Sequence, residues 1–456
     1  MNAPESSSEE SSEQEAGRDP STLDPGTAEE LEQERAREAT GPVGDAAPDT
    51  ASRLAKALHQ TMSSPWTVSV GAVVLAIVAG SIMIAFTDEE VKAASAYFFA
   101  RPADTFVALG QAIGGAYAAL FRGSVVNLQA PDLLTAIRPF TETLNYATPL
   151  IAAGLGVALA FRAGLFNIGG QGQMLVAAAA AGWVGFGVSG VPFPLHLLMA
   201  LVAGIAAGAL WAGLAGLLKA RTGAHEVIVT IMLNYVAFYL ISYLLATPGL
   251  LQAPGSSNPK TPPTAETAQL PPLIGDRFNL HWGFVLALLA VVFVWWLLSR
   301  SSAGFAFRAV GENPRAARVA GIDTGRATVS SMLVAGGLVG LAGASQVLGG
   351  VTTGFSSDID AGIGFDAITV ALLGGSNPWG VLAAGILFGA FKAGGSTMQA
   401  SQGIPSDIVL VVQSLIVLFI AAPPLIRAIF RLPDPNRRRT SKKKTKATRA
   451  RKEAAA

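Results

Sequence analysis

The chain contains no cysteine, which excludes disulfides, thiolate metal sites and cysteine nucleophiles. Histidine is nearly as scarce: the four are scattered at positions 59, 196, 225 and 281. His225-Glu226 is followed by Val229 rather than a second histidine, so there is no H-E-x-x-H zinc site. Each histidine reads as an interfacial or capping residue. No G-x-x-x-x-G-K-[ST] loop is present to cradle a nucleotide phosphate. Gly374-Gly375-Ser376-Asn377 has the look of an intramembrane serine nucleophile, but no histidine follows in a helix to activate it. Charge is the last shortage. Only 14% of 456 residues are charged, against about a quarter in soluble domains, and they concentrate at the two ends.

What is present is apolar: 51% of the residues, with 50 glycines. The pattern is an all-α integral membrane protein, a polytopic bundle of about ten helices with broken or re-entrant segments. Residues 1–60 form an acidic, Ser- and Pro-rich tail that cannot bury enough apolar surface to order itself, apart from a short helix expected over Ala28 to Ala39. The start is acidic and the first apolar run begins near Trp66, which argues against a signal peptide. The membrane domain occupies 61–430 and a basic tail 431–456.

Spans are expected at Trp66–Phe86, Leu144–Phe161, Asn167–Phe186, Leu195–Leu218, Val227–Ala246, Trp282–Leu298 and Ala327–Gly349. Ile363–Gly375 and Trp379–Gly394 read as two spans hinged at Gly374 to Pro378, and Asp407–Ile426 as the last. Val91 to Phe121 is amphipathic and is expected on the outer face, in the interface or as a weak extra span. The loops Thr247–Leu280 and Val351–Gly362 are expected outside the membrane. Arg162, Lys219, Arg221, the 299–326 loop and the tail after Arg427 carry the positive charge, which places both termini in the cytoplasm. Arg437 to Lys444 would then lie against anionic lipid heads rather than nucleic acid. Glycine pairs at four-residue spacing, Gly204/Gly208, Gly336/Gly340 and Gly385/Gly389, mark close helix contacts.

The organising stretch is Phe161-Arg-Ala-Gly-Leu-Phe-Asn-Ile-Gly-Gly-Gln-Gly-Gln173. It puts an arginine, three amides and four glycines between apolar spans, where amides are costly unless they face protein or a water-filled path. Asn145, Asn167, Gln171, Gln173, Asn234, Gln346 and Gln413 are the candidates for a neutral, hydrogen-bonding pathway, and each could equally be a helix–helix hydrogen bond. Membrane-embedded acids are few: Glu142, Glu226 and Asp366 fall near span ends, and none is expected at the midplane. A second ordered motif lies at 299–326. Asn313 can cap a helix, Pro314 suits its first position, Arg315 to Ala320 form it and Gly321 stops it. Ala316, Ala317 and Ala320 would give a small docking face.

Three stretches resemble permease subunits of ATP-binding-cassette importers of the branched-chain amino-acid, ribose and nucleoside class. They are Thr148 to Gln173, close to a "GLFNIGAEGQ" pattern; Gly304 to Ile322, close to "RAVGENPRAARYAGI"; and Gly364 to Gly380. Gly170-Gln171 stands where that pattern commonly has Ala-Glu. The likeness covers about 141–425, and the form of the first motif is most similar to nucleoside (guanosine-type) permeases, with simple-sugar permeases next.

The resemblance implies a non-catalytic transport subunit with no cofactor, in a bacterial cell membrane. Its partners would be an ABC ATPase subunit, a homologous second permease (or a second copy of this chain), and an extracytoplasmic lipoprotein that delivers substrate. The 299–326 loop would meet the ATPase through Arg308, Gly311, Glu312, Asn313, Pro314, Arg315, Ala316, Ala317 and Gly321. A self-contained ion-coupled carrier is the reading of different class.

Overall fold

The computed structural model describes residues 65–422 apart from Asp276 and Ser406, together with Leu425 and Ile429. The two tails, His59 and the short helix expected over 28–39 lie outside the described residues. Among the described residues the protein is all helical, with a single isolated β-bridge between Pro272 and His281. Fourteen α-helices follow in order. The first seven are α1 (Pro65–Thr87), α2 (Glu89–Ser95), α3 (Pro102–Ser124), α4 (Leu133–Arg162), α5 (Gly170–Gly187), α6 (Leu195–Thr222) and α7 (Glu226–Ala246). The others are α8 (Gly283–Arg300), α9 (Ser302–Glu312), α10 (Pro314–Val319), α11 (Thr324–Ser345), α12 (Ile363–Leu373), α13 (Pro378–Gln402) and α14 (Asp407–Ala421).

Six of these, α4, α6, α7, α8, α11 (with its π-turn to Gly350) and α13, are long and apolar enough to cross a membrane. The figure of about ten is not reached by that measure. The apolar parts of α1, α12 and α14 are shorter, and α5 opens on the polar Gly170-Gln171-Gly172-Gln173. Helix α4 is the centre. It is buried without interruption from Ala147 to Ala160, so it is apolar all round rather than along one stripe. It also starts eleven residues before the expected Leu144, because Asp132 caps it by accepting from Thr135 N (3.3 Å) and Thr135 Oγ1 (2.6 Å).

Small residues set the spacing. A methyl placed on Gly208 would meet Gly336 O at 2.6 Å and Gly340 Cα at 2.7 Å, so the expected glycine pairs of α6 and α11 face each other. Gly385 similarly seats Ile151 of α4. The main core joins α4, α8, α11, α12 and α13; a second gathers α5, α6 and α7. The amphipathic 91–121 region becomes α2 and α3. Its buried face, Ala112, Ala116 and Ala119, packs with Met398 at the end of α13.

The loop Val351–Gly362 departs from expectation. It does not stay outside the bundle. Phe355 lies against Gly182, where a methyl would meet its ring at 2.6 Å, and Gly364 O lies 2.7 Å from a methyl on Gly170. Twelve residues of α5 separate these contacts, about 18 Å of helix. The segment therefore runs down α5 into the bundle, and α12 begins there as a half-length helix. Two positive-φ residues, Ala361 (45°) and Gly362 (76°), make the reversal into α12.

Candidate functional site

The site is built where α4 stops. Arg162 is the last helical residue, Gly164 turns left-handed (φ 71°), and α5 restarts at Gly170. Of the seven residues between, Ala163, Gly164 and Leu165 still donate back to carbonyls of α4, and polar side chains satisfy the amides of Phe166, Ile168 and Gly169. Asn167 Oδ1 accepts from Gly169 N (2.9 Å) and from Gln173 Nε2 (2.9 Å). Asn234 on α7 is bidentate: its Oδ1 accepts from Gly172 N (2.8 Å) and its Nδ2 donates to Ile168 O (2.9 Å). Ile168 N donates to Thr230 Oγ1 (3.3 Å), and Phe166 N to Glu226 Oε1 (3.4 Å). Lys219 at the end of α6 holds the other oxygen of Glu226. Asn167, Gln173 and Asn234 are at most 4% exposed. These three predicted residues are thus brought together as a lock that pins the break between α4 and α5 onto α7.

The other four candidates are dispersed. Gln171, half-buried, faces the carboxyl of Asp360. Gln346 opens the π-turn that ends α11, and Asn145 is half-buried on α4. Gln413 is buried on α14, among helices packed on α1, away from the lock.

The interior also holds charge that the sequence reading missed. Asp360 is 4% exposed and sits at the turn into α12. Among the described residues its Oδ2 has no hydrogen-bond partner. Lys392, in the middle of α13, pairs with Asp366 Oδ2 at 2.8 Å and donates to Ala361 O at 3.3 Å. Lys392 therefore ties both sides of the Ala361–Gly362 reversal to α13. The signal was visible: a lone lysine stands fourteen residues into an otherwise apolar helix. Asp360 could not be found that way, because nothing in its local sequence says that the loop enters the bundle.

At the Arg162 end of α4 lie the helix pair α9 and α10. The expected cap forms: Asn313 Oδ1 accepts from Arg315 N and Ala316 N, both at 3.1 Å, and Gly321 turns left-handed (φ 83°) after α10. Helix α9, an amphipathic segment carrying Arg308, Gly311 and Glu312, was not expected. Its Gly311 touches the break itself, since a methyl on Gly164 would meet Gly311 Cα at 2.9 Å. Ala317 is buried in its own chain, so it cannot belong to a free docking face. Val319 is 91% exposed instead, flanked by exposed Arg315, Ala316 and Ala320. Beside this contact opens a cavity of about 620 Å³, lined by Gly164, Lys219, Gly311, Pro314, Arg318 and Asp323 among others. Arg162 Nε donates to Ser376 O (2.9 Å), bringing the α12–α13 hinge to the same end.

The opposite end carries a second polar cavity of about 320 Å³ between α3, α4 and α13, lined in part by Asn127, Arg138, Glu142, Tyr146, Ser396 and Thr397. Of the remaining histidines, His196 is buried between Thr267 Oγ1 (2.8 Å) and Val184 O (2.9 Å). His281 is buried beside Gly283, whose N–H donates to its Nδ1 at 3.1 Å. Burial pushes the His281 imidazole down to about 4.

A family model described as "Branched-chain amino acid transport system / permease component" matches residues 140–421. The chain belongs to that family. It is 40% identical to the guanosine ABC transporter permease protein NupP of Bacillus subtilis, over 70% of this chain and 89% of that one. It is 36% identical to the glucose ABC transporter permease protein TsgB13 of Haloferax volcanii, over 63% and 77%. The nucleoside ABC transporter permease protein NupB of Lactococcus lactis is 33% identical, over 65% and 82%. No solved structure matches.

Proposed function

We propose that this permease is the membrane subunit of an ATP-driven ABC importer and that it passes a neutral nucleoside. The observation that carries the reading is the backbone contact between Gly311 of α9 and the α4–α5 break at Gly164. A helix pair outside the membrane can then move a break inside it without a flexible connector. Arg162, Lys219 and the arginines of α9 and α10 share this end, which the positive-inside rule assigns to the cytoplasm, together with both termini. There an ATPase subunit would seat on α10 through Val319, Arg315 and Ala316. Arg308, Gly311, Glu312, Asn313, Pro314, Ala317 and Gly321 keep the loop in shape. The far end would receive substrate from an extracytoplasmic lipoprotein, and a second permease, homologous or identical, would close the pathway. Gln171, Asn145 and Gln346 remain the pathway residues of this proposal, whereas Asn167, Gln173 and Asn234 act through the lock.

Nucleoside is preferred because two relatives named above are nucleoside permeases, one of them at 40% identity. A simple sugar is the second reading, favoured by the glucose permease at 36%. Interior acids are what an ion-coupled carrier requires; Asp366 is paired with Lys392, whereas the buried Asp360 leaves that reading one candidate acid. The test is uptake of labelled guanosine by cells expressing the whole transporter, with excess adenosine, ribose, galactose or leucine as competitors. Competition by adenosine alone is expected; competition by leucine or by a free sugar, and not by adenosine, would refute the nucleoside assignment.

A further inference from the structure

The cavity at the Glu142 end has no part in the lock or in the proposed ATPase coupling, and it is lined by a carboxylate, hydroxyls, an amide and a tyrosine ring. Asn279 Nδ2 donates to Glu142 Oε1 at 2.7 Å, and Arg138 Nε lies 4.0 Å from the same oxygen. One edge of the Glu142 carboxyl group is thereby fixed. Among the described residues no side chain donates to Oε2. Ser396 and Thr397 donate their hydroxyls to Ala393 O within their own helix, at 2.8 and 3.3 Å, so each meets a ligand as an acceptor. Asn127 accepts from Gln129 N with Oδ1 (3.1 Å), which leaves its NH₂ as a donor. Tyr146, on the same face of α4 one turn beyond Glu142, is 42% exposed and adds a ring.

The volume, about 320 Å³, is at the small end of the roughly 300–1,000 Å³ range of small-molecule sites. Tyr146 stands about 24 Å of helix from Arg162, near the outer boundary of a ~30 Å hydrocarbon core. On α13, Ser396 follows Lys392 by one turn, so the ion pair to Asp366 lies directly below the cavity.

We propose that this cavity is the acceptor site in which an incoming purine nucleoside is held before passage, with Glu142 reading its base and Tyr146 giving it a face. This rests on the nucleoside reading above. A carboxylate accepts hydrogen bonds and donates none. With Oε1 already taken by Asn279, the free Oε2 accepts the ring N–H of guanine, at the position where adenine carries only an acceptor nitrogen. Ser396 and Thr397 accept from ribose hydroxyls, and the Asn127 amide donates to the base carbonyl. An aromatic ring accepts any base by stacking, worth about ten- to a hundredfold per base. Glu142 thus sets which purine is preferred, and Tyr146 sets how tightly any of them is held. Both are binding residues, and neither touches the ATPase end.

The test measures concentration-dependent uptake of guanosine and adenosine by the assembled transporter. The variants are Glu142→Gln, Tyr146→Phe, Tyr146→Ala and Ser396→Leu, with co-purification of the ATPase as the assembly control. Gln presents an amide NH₂ toward the base, so Glu142→Gln is expected to lower the guanosine-to-adenosine preference at least tenfold. Tyr146→Ala should raise the half-saturating concentration of both nucleosides at least tenfold, and Tyr146→Phe should restore it. Ser396→Leu fills the cavity without touching Glu142 and should abolish uptake of both. An unchanged preference in Glu142→Gln, or Tyr146→Ala or Ser396→Leu within twofold of wild type, overturns the proposal. Failure of the nucleoside reading shows separately, as a wild-type transporter that takes up a sugar and no guanosine.

Discussion

Gly164 and Gly311 touch backbone to backbone. The first ends a turn in the left-handed region at φ 71°, and the second lies one residue from the end of α9. No side chain fits between them, and the proposed coupling has the membrane break and the helix pair move together through this contact. Gly164→Ala should cost about 1–2 kcal/mol for the left-handed conformation alone and push α9 away from the break. Insertion and ATPase association should persist, with transport reduced at least tenfold, read as uptake against ATP hydrolysed.

Val319 offers an apolar side chain to solvent on a six-residue helix whose Ala317 is already committed to its own chain. Val319→Asp should weaken ATPase association by ten- to thirtyfold, about 1.5–2 kcal/mol, measured by co-purification from detergent. Ala317→Leu should act differently, by overpacking and loss of the folded permease.

The Asp366–Lys392 pair is about 80% buried on both sides. Removing one partner leaves a charge without its counter-ion, at about 3–5 kcal/mol. Asp366→Asn and Lys392→Met should each lower the thermal midpoint, and the double variant should be more stable than either. Additive losses across the double-mutant cycle would mean the two do not interact.

Asn234→Leu keeps the volume of the side chain but orphans Gly172 N–H and Ile168 C=O, at about 1–3 kcal/mol each. The loss should appear first as protease cleavage or hydrogen exchange within 163–172, before global unfolding.

His281 is neutral in the fold with its value pushed down to about 4 from an unfolded 6.5. Protonation therefore favours the unfolded state. Its contribution is complete above about pH 6.5 and is lost as pH falls toward 4, on the order of 3 kcal/mol in total. The thermal midpoint of wild type should drop over that window more steeply than that of His281→Asn.

The cap at Asn313, the stop at Gly321 and the glycine faces of α6 and α11 were legible because each depends on residues within four positions of one another. The same holds for the unusual polarity of the stretch around Asn167. The partners of that stretch were not legible: Thr230 and Asn234 sit about sixty residues away, and a buried amide looks alike whether it binds substrate or backbone. The descent of residues 351–362 into the bundle was hidden for a different reason. A polar, Gly-containing segment reads as an outer loop, and only packing against Gly182 and Gly170 shows otherwise. The pair of Asp366 with Lys392 crosses from α12 to α13 and was therefore invisible to helical spacing.

The most direct test reconstitutes the chain with its ATPase, second permease and binding protein in proteoliposomes, and measures guanosine uptake. The reading predicts uptake that requires ATP and all components, and that is indifferent to imposed proton or sodium gradients. Uptake by the permease alone, driven by a gradient and without ATP, would contradict it.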